Sequence, residues 1–228
     1  MPEQTAPLQI EIVSDVMCPW CVIGYRQLAQ ALKEKAVAHE IRWHPFELNP
    51  NMGAEGQDLR AHLAEKYGTS PEQSDENRAR ISALGAELGF EFAFDEASRM
   101  HNTFNAHQLL HWAEMQGRKH ALKQALFAAH FTQARNLSDV SVLADIAAEI
   151  GLERAEASAV LADQRFADEV RAQQVFWQQQ GIQGVPAVVF ERKHLVTGAQ
   201  GVENYKNILD QLLAMRVWPL KQHRLACA

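Results

Sequence analysis

Cys18-Pro19-Trp20-Cys21 follows directly on the alternating run Leu8-Gln9-Ile10-Glu11-Ile12-Val13 and opens a helix-like segment through Arg26, Leu28, Ala29 and Leu32. This places a dithiol at a strand-to-helix junction. Two intervening residues put both sulfurs on the first turn of one helix, close enough to close a small disulfide ring without moving the backbone. The free N–H groups and the positive end of the helix dipole favour a thiolate at Cys18, the outer sulfur. Cys18 is therefore expected to titrate below a free thiol, and Cys21 is not. Pro19 suits a first-turn position, where proline forfeits no helical hydrogen bond.

The competing reading of Cys-x-x-Cys is half of a zinc site, which needs four ligands. The one further cysteine is Cys227 at the C-terminus, expected on a frayed tail, with partner capture or redox sensing as the alternative. His107 and His111 stand four apart, but Gln108 occupies the place of a catalytic glutamate and no third ligand is recognisable. No metal is expected. A redox dithiol beside a strand–helix–strand pattern is the reading that remains.

The chain has 228 residues, 47% hydrophobic, enough for one large core or two coupled ones. Its formal net charge of −6 is spread over interleaved acids and bases, so neither nucleic acid nor an anionic membrane is an expected partner. Met1 to Pro7 has neither a basic nor an apolar leader character, and no stretch is long and apolar enough to span a membrane. A cytoplasmic location follows as the expectation, with Cys18 and Cys21 resting as thiols.

Glu40-Ile41-Arg42-Trp43-His44 reads as a second strand, parallel to the first through a right-handed crossover. From Gln57 to Gln180 the pattern is helical, with glycine stops at Gly68, Gly89, Gly117, Gly151 and Gly181. Ser70-Pro71 starts a helix running to Leu88, and Ser138 is expected to cap one carrying Leu143, Ile146 and Ile150. Phe90 to Phe94 is either a short strand or an extended loop. Strands return at Ala187 to Phe190 and Lys193 to Thr197, before a final amphipathic helix with Tyr205, Leu209 and Leu212. The expected fold is α/β, a thioredoxin fold formed by residues 1–55 and 181–228, with an all-helical domain, 56–180, inserted between its halves.

Five blocks then carry a family resemblance: Asp15-Val16-Met17-Cys18-Pro19-Trp20-Cys21, Trp43-His44-Pro45-Phe46-Glu47-Leu48-Asn49-Pro50, Asn102-Thr103-Phe104-Asn105-Ala106-His107, Gly181-Ile182-Gln183-Gly184-Val185-Pro186 and Gly198-Ala199-Gln200. They resemble the DsbA-like oxidoreductases, in particular the cytoplasmic FrnE-like branch, related to kappa-class glutathione transferases and hydroxychromene-carboxylate isomerases. The resemblance implies that Cys18 attacks, Cys21 resolves, and a cis Val185–Pro186 bond faces them. An ordinary trans-proline turn is the alternative. Pro19, Trp20, Phe46, Asn102, Thr103, His107, Val185 and Pro186 become candidate substrate contacts.

Ala187 departs from the aromatic that many relatives carry after this proline. Trp20 offers no titrating imidazole to stabilise a Cys18 thiolate, as a histidine there would, so a couple less oxidising than DsbA is expected. Asp15, three residues before the dithiol, is either a proton acceptor or a turn-forming cap.

The function expected is thiol–disulfide exchange with a disulfide-containing protein or a small thiol or disulfide. No cofactor is expected to be bound, glutathione is a candidate co-substrate, and the chain is read as a monomer or homodimer. The alternatives are a glutathione-dependent isomerase or transferase acting on a small molecule, and a non-enzymatic adaptor.

Overall fold

The computed structural model describes residues 6–224. Strand β1 (Leu8–Ser14) leads into helix α1 (Pro19–Glu34), and the chain returns as β2 (His39–Pro45), parallel to β1 with Ile12 opposite Trp43. The insertion follows as β3 (Gln57–Asp58), α2 (Leu59–Tyr67), α3 (Pro71–Glu87), β4 (Arg99–Met100), α4 (Phe104–Met115), α5 (Lys119–Phe131), α6 (Val140–Glu149), α7 (Arg154–Asp163) and α8 (Ala167–Gln179). It is not purely helical, since β3 and β4 pair as a two-residue antiparallel ribbon. Then β5 (Ala187–Phe190) pairs antiparallel with β1 and β6 (His194–Thr197) with β5, before α9 (Val202–Arg224). The sheet order is β2-β1-β5-β6.

Side chains of β1 alternate between two covered faces, as period-two geometry requires. Ile10 and Ile12 join Leu28, Leu32, Phe190 and Leu209, whereas Val13 joins Phe46, Trp177 and Ala187. The insertion shares these cores with the sheet. Ile81, Phe90, Phe92, Phe127 and Phe131 belong to the cluster that contains both active-motif cysteines. Val16 and Met17, just ahead of the dithiol, are buried among Leu109, Leu126, Leu143 and Leu161. The approach to the dithiol is thus held by the insertion's own core.

Local signals explain most boundaries. Ser70 and Gln73 form a reciprocal capping box with Pro71 behind it, and Gly68 ends α2 in the left-handed region that glycine adopts without strain. The cap of α6 differs from expectation: Asp139 accepts from the N–H groups of Ser141 and Val142, while the Ser138 hydroxyl accepts from the Asn102 N–H. A carboxylate at the dipole's positive end is the stronger cap, which leaves Ser138 free to tie two loops. Phe90 to Phe94 is an extended loop, held by the Ala93 N–H donating to the Phe131 carbonyl and by contacts among Phe90, Phe92, Phe94 and Phe131.

Gly85 of α3 lets this loop close. A Cβ there would meet the Phe92 ring and lie 2.7 Å from the Phe90 carbonyl oxygen. Gly85→Ala is expected to destabilise the protein by roughly 1–3 kcal/mol, since overpacking outweighs the helix-propensity gain. Urea unfolding checks this, and an unchanged midpoint would contradict the packing.

Candidate active site

Cys18 is the N-cap of α1, Pro19 its first residue, and Cys21 lies one turn in, its N–H donating to the Cys18 carbonyl. Both are free thiols, and both are buried. The Val185–Pro186 bond is cis, and the Cys18 thiol donates to the Val185 carbonyl at 3.6 Å. Gly24 lets these parts meet, since a Cβ there would lie 3.1 Å from Pro186 Cγ. That contact accounts for a glycine inside a helix, where alanine would otherwise be favoured by about 1 kcal/mol.

Beneath the sulfurs lies a buried ionic layer. Asp15 accepts from the Met17 N–H at 3.3 Å and the Leu48 N–H at 2.7 Å, so its carboxylate ties the dithiol loop to the segment after β2. His107 Nε2 lies 2.9 Å from the Phe46 carbonyl and 3.5 Å from Asp15 Oδ1. Donation to a carbonyl requires the proton on Nε2. Burial pushes the Asp15 carboxyl up, but the His107 hydrogen bond, the His107 charge and the Leu48 N–H outweigh it and hold Asp15 below its ordinary range.

Lys123 of α5 completes the layer. It is 1% exposed, its Nζ donates to the Ser14 carbonyl at 3.4 Å, and the ammonium lies 4.9 Å from the Phe127 ring centroid and 5.5 Å from that of Trp43. Burial lowers its pKa to about 8, against the opposing pull of the Cys21 and Asp15 charges. A lysine so placed exchanges its proton near neutral pH.

The two thiols ionise as a pair, and this reverses the order expected from the helix start alone. Cys18 is pushed well up, first by the neighbouring Cys21 sulfur and then by burial. Burial also acts against a Cys21 thiolate, but the hydrogen bond from Cys18, the Lys123 charge and the Ser14 hydroxyl, which has no other partner, overcome it. Within the coupled pair these influences favour the thiolate on the inner sulfur. The helix N-terminus is one influence, and the buried ammonium beneath Cys21 is another that local sequence does not reveal.

A cavity of about 610 Å³ opens beside the dithiol, bounded by Met17, Cys18, Trp20 and Val185 on one side and by Leu59, Ile81, Phe94, Arg99 and His101 of the insertion on the other. Its size suits a small molecule or a single side chain. Burial lowers His62, His101 and His130, the last to about 3, so all three wall imidazoles are neutral at pH 7.

A family model, the DSBA-like thioredoxin domain, matches residues 9–210. The chain belongs to the DsbA-like thioredoxin family. A probable DsbA oxidoreductase from Streptomyces coelicolor superposes with a TM-score of 0.86 at 34% identity, covering 91% of this chain and 90% of that one. The cytosolic disulfide reductase DsbM of Pseudomonas aeruginosa, solved with glutathione, shares the fold with a TM-score of 0.62 at 21% identity over 91% of this chain and all of that one. The uncharacterized protein YwbO of Bacillus subtilis is 25% identical over 204 residues, 89% of this chain and 96% of its own.

Within this DsbA-like site the residues singled out in the sequence fall into two groups. Cys18, Pro19, Trp20 and Val185 border the cavity, and Pro186 packs behind them on Gly24. Phe46, Asn102, Thr103 and His107 do not border it. The Asn102 side chain donates to the Met52 carbonyl and accepts from the Phe104 N–H, Thr103 is the buried N-cap of α4, and Phe46 and His107 brace Asp15 from behind. These four shape the site's support. His111 lies near Gln173 at 3.3 Å, and no group of three metal-ligating side chains occurs among the described residues. Cys227 lies outside them. No described helix is long and apolar enough to cross a membrane.

Proposed function

We propose that this protein is a thiol–disulfide oxidoreductase that cycles Cys18 and Cys21 between dithiol and disulfide through a mixed disulfide. The observation that carries this reading is the Cys18 thiol at the start of α1, aimed at the Val185 carbonyl of the cis-proline loop, with Cys21 unbonded one turn beneath it. A proton shift from Cys18 to the Cys21 thiolate makes the outer sulfur the nucleophile. It attacks a substrate disulfide, one substrate thiolate leaves, and Cys21 then attacks Cys18 to release the second. Two electrons pass to the substrate, and the two thiol protons end on its two sulfurs. The Val185 carbonyl and the cavity wall hold the substrate in line, the role assigned to Pro19, Trp20, Val185 and Pro186.

The reading extends to a cytoplasmic, FrnE-like reductant that takes its electrons from glutathione as co-substrate. Trp20 supports it, because it supplies no imidazolium to stabilise the reduced form and so gives a less oxidising couple than DsbA. Equilibration with glutathione buffers of graded poise, read by acid-quenched alkylation, tests this. The internal disulfide should already form in buffers reducing enough to leave DsbA a dithiol, and the dithiol should predominate only at still more reducing poise. A protein that forms no internal disulfide at any poise would overturn the proposal.

A further inference from the structure

The cations around the Cys18 cavity are unequally neutralised. Arg60 and Arg78 share Asp75, and Arg60 also pairs with Glu96. Arg99, which borders the cavity from β4, pairs with no carboxylate among the described residues and donates only to the Glu55 backbone carbonyl at 3.1 Å. Arg80 likewise has no carboxylate partner among them, and its guanidinium lies 5.5 Å from the centroid of Trp20, which borders the cavity beside Cys18. The one acid in the wall, Glu55, folds its carboxylate back over Gly53. With the wall histidines neutral and the other wall arginine, Arg78, paired with Asp75, Arg99 is the wall cation left without a carboxylate, and Arg80 stands outside the wall against Trp20.

We infer that the cavity selects a low-molecular-weight disulfide carrying a carboxylate, with its sulfurs at Cys18 and its carboxylate on Arg99 or Arg80. This rests on the oxidoreductase reading and assigns that site its substrate class and two specificity residues. The chemistry fits on three counts. The volume admits a small disulfide, Leu59, Ile81 and Phe94 cover its apolar stem, and a guanidinium fork is the group that pairs a carboxylate in two parallel hydrogen bonds. A carboxylate held there fixes which substrate sulfur faces Cys18. In the forward reaction Cys18 bonds to one substrate sulfur as the other leaves as a thiolate, and Cys21 then attacks Cys18 Sγ to release the bound one. The protein's two thiols are oxidised to a disulfide as the substrate is reduced to two thiols.

The test is a single-turnover reaction of pre-reduced protein with three disulfides of similar length: dithiodipropionate, which is dianionic, hydroxyethyl disulfide, which is neutral, and cystamine, which is dicationic. Each rate constant is divided by that for free dithiothreitol with the same disulfide, which removes intrinsic reactivity. The expected order is dianionic, neutral, dicationic, with roughly a tenfold step between neighbours at low salt that shrinks as salt is added. Arg99→Met and Arg80→Met should each lower the dianionic-to-neutral ratio severalfold, and Arg99→Lys should restore part of it. Equal normalised rates for the three disulfides in the unmodified protein would overturn the inference while leaving the oxidoreductase reading standing. So would a ratio that neither methionine variant moves. Failure of all three disulfides to react would instead remove the reading beneath it.

Discussion

In a Cys227→Ser background, Cys21→Ser protein is expected to accumulate a covalent mixed disulfide with glutathione or substrate, whereas Cys18→Ser protein forms none. The asymmetry follows from position. Cys18 sits at the cavity, hydrogen-bonded to the Val185 carbonyl, so it is the sulfur a substrate meets first. Cys21 is 1% exposed and reaches only what is already bonded to Cys18. With Cys18→Ser the nucleophile becomes a hydroxyl that is essentially un-ionised at neutral pH, and disulfide reduction should fall by roughly a thousandfold or more. With Cys21→Ser attack proceeds but resolution does not, and the adduct is released only by added dithiol. Intact-mass spectrometry before and after dithiothreitol reads both outcomes. Retention of reductase activity by both variants would exclude this chemistry. Turnover of a small glutathione-dependent substrate by the Cys21→Ser protein would point instead to an isomerase or transferase.

The second large effect is expected at Lys123. Replacing it with methionine removes the ammonium that supports a Cys21 thiolate, so the first ionisation of the pair moves to higher pH. The resolving attack at pH 7 should slow by roughly tenfold for each unit of that move, because the reacting fraction is the thiolate. The sign is clear: loss of a positive charge raises a thiol pKa, so the rate deficit should shrink as pH rises. A defect that merely loosened the fold would give a loss independent of pH. Stability should change the opposite way. A lysine held at about 8 has lost part of its hydration without full compensation. Methionine of similar length among Trp43 and Phe127 should therefore stabilise the fold by roughly 1–3 kcal/mol. A more stable protein with a pH profile displaced upward is the expected result. A less stable one with an unmoved profile would deny Lys123 this role.

The dithiol and the first strand were legible in sequence because each depends on a few adjacent residues, whereas the cis Val185–Pro186 bond was expected from the family resemblance. The parallel pairing of β1 with β2 follows from a crossover of one helix, and Ala187–Phe190 is a short apolar run bounded by turn residues. The thiol ionisation order was not legible, since it depends on Lys123, some hundred residues away along the chain and adjacent only in space. A signal was nevertheless present. Lys123 falls between Leu122, Leu126 and Phe127, on the buried side of α5, where a lysine is unusual unless it has a partner. Phe46, Asn102, Thr103 and His107 carried family-like motifs, yet a motif records that a residue matters and not which way its side chain points. Asp139 was overlooked beside Ser138 because both residue types cap helices and only geometry separates neighbours.

The most direct measurement of the central claim is the electron count of a single turnover. Pre-reduced Cys227→Ser protein is mixed with one equivalent of a small disulfide, the liberated thiol is quantified, and the protein is mapped by digestion without reduction. The account predicts two substrate thiols released per protein and a single new cross-link joining Cys18 to Cys21. Release of no thiol, or of one thiol with a stable adduct and no Cys18–Cys21 bond, would contradict it.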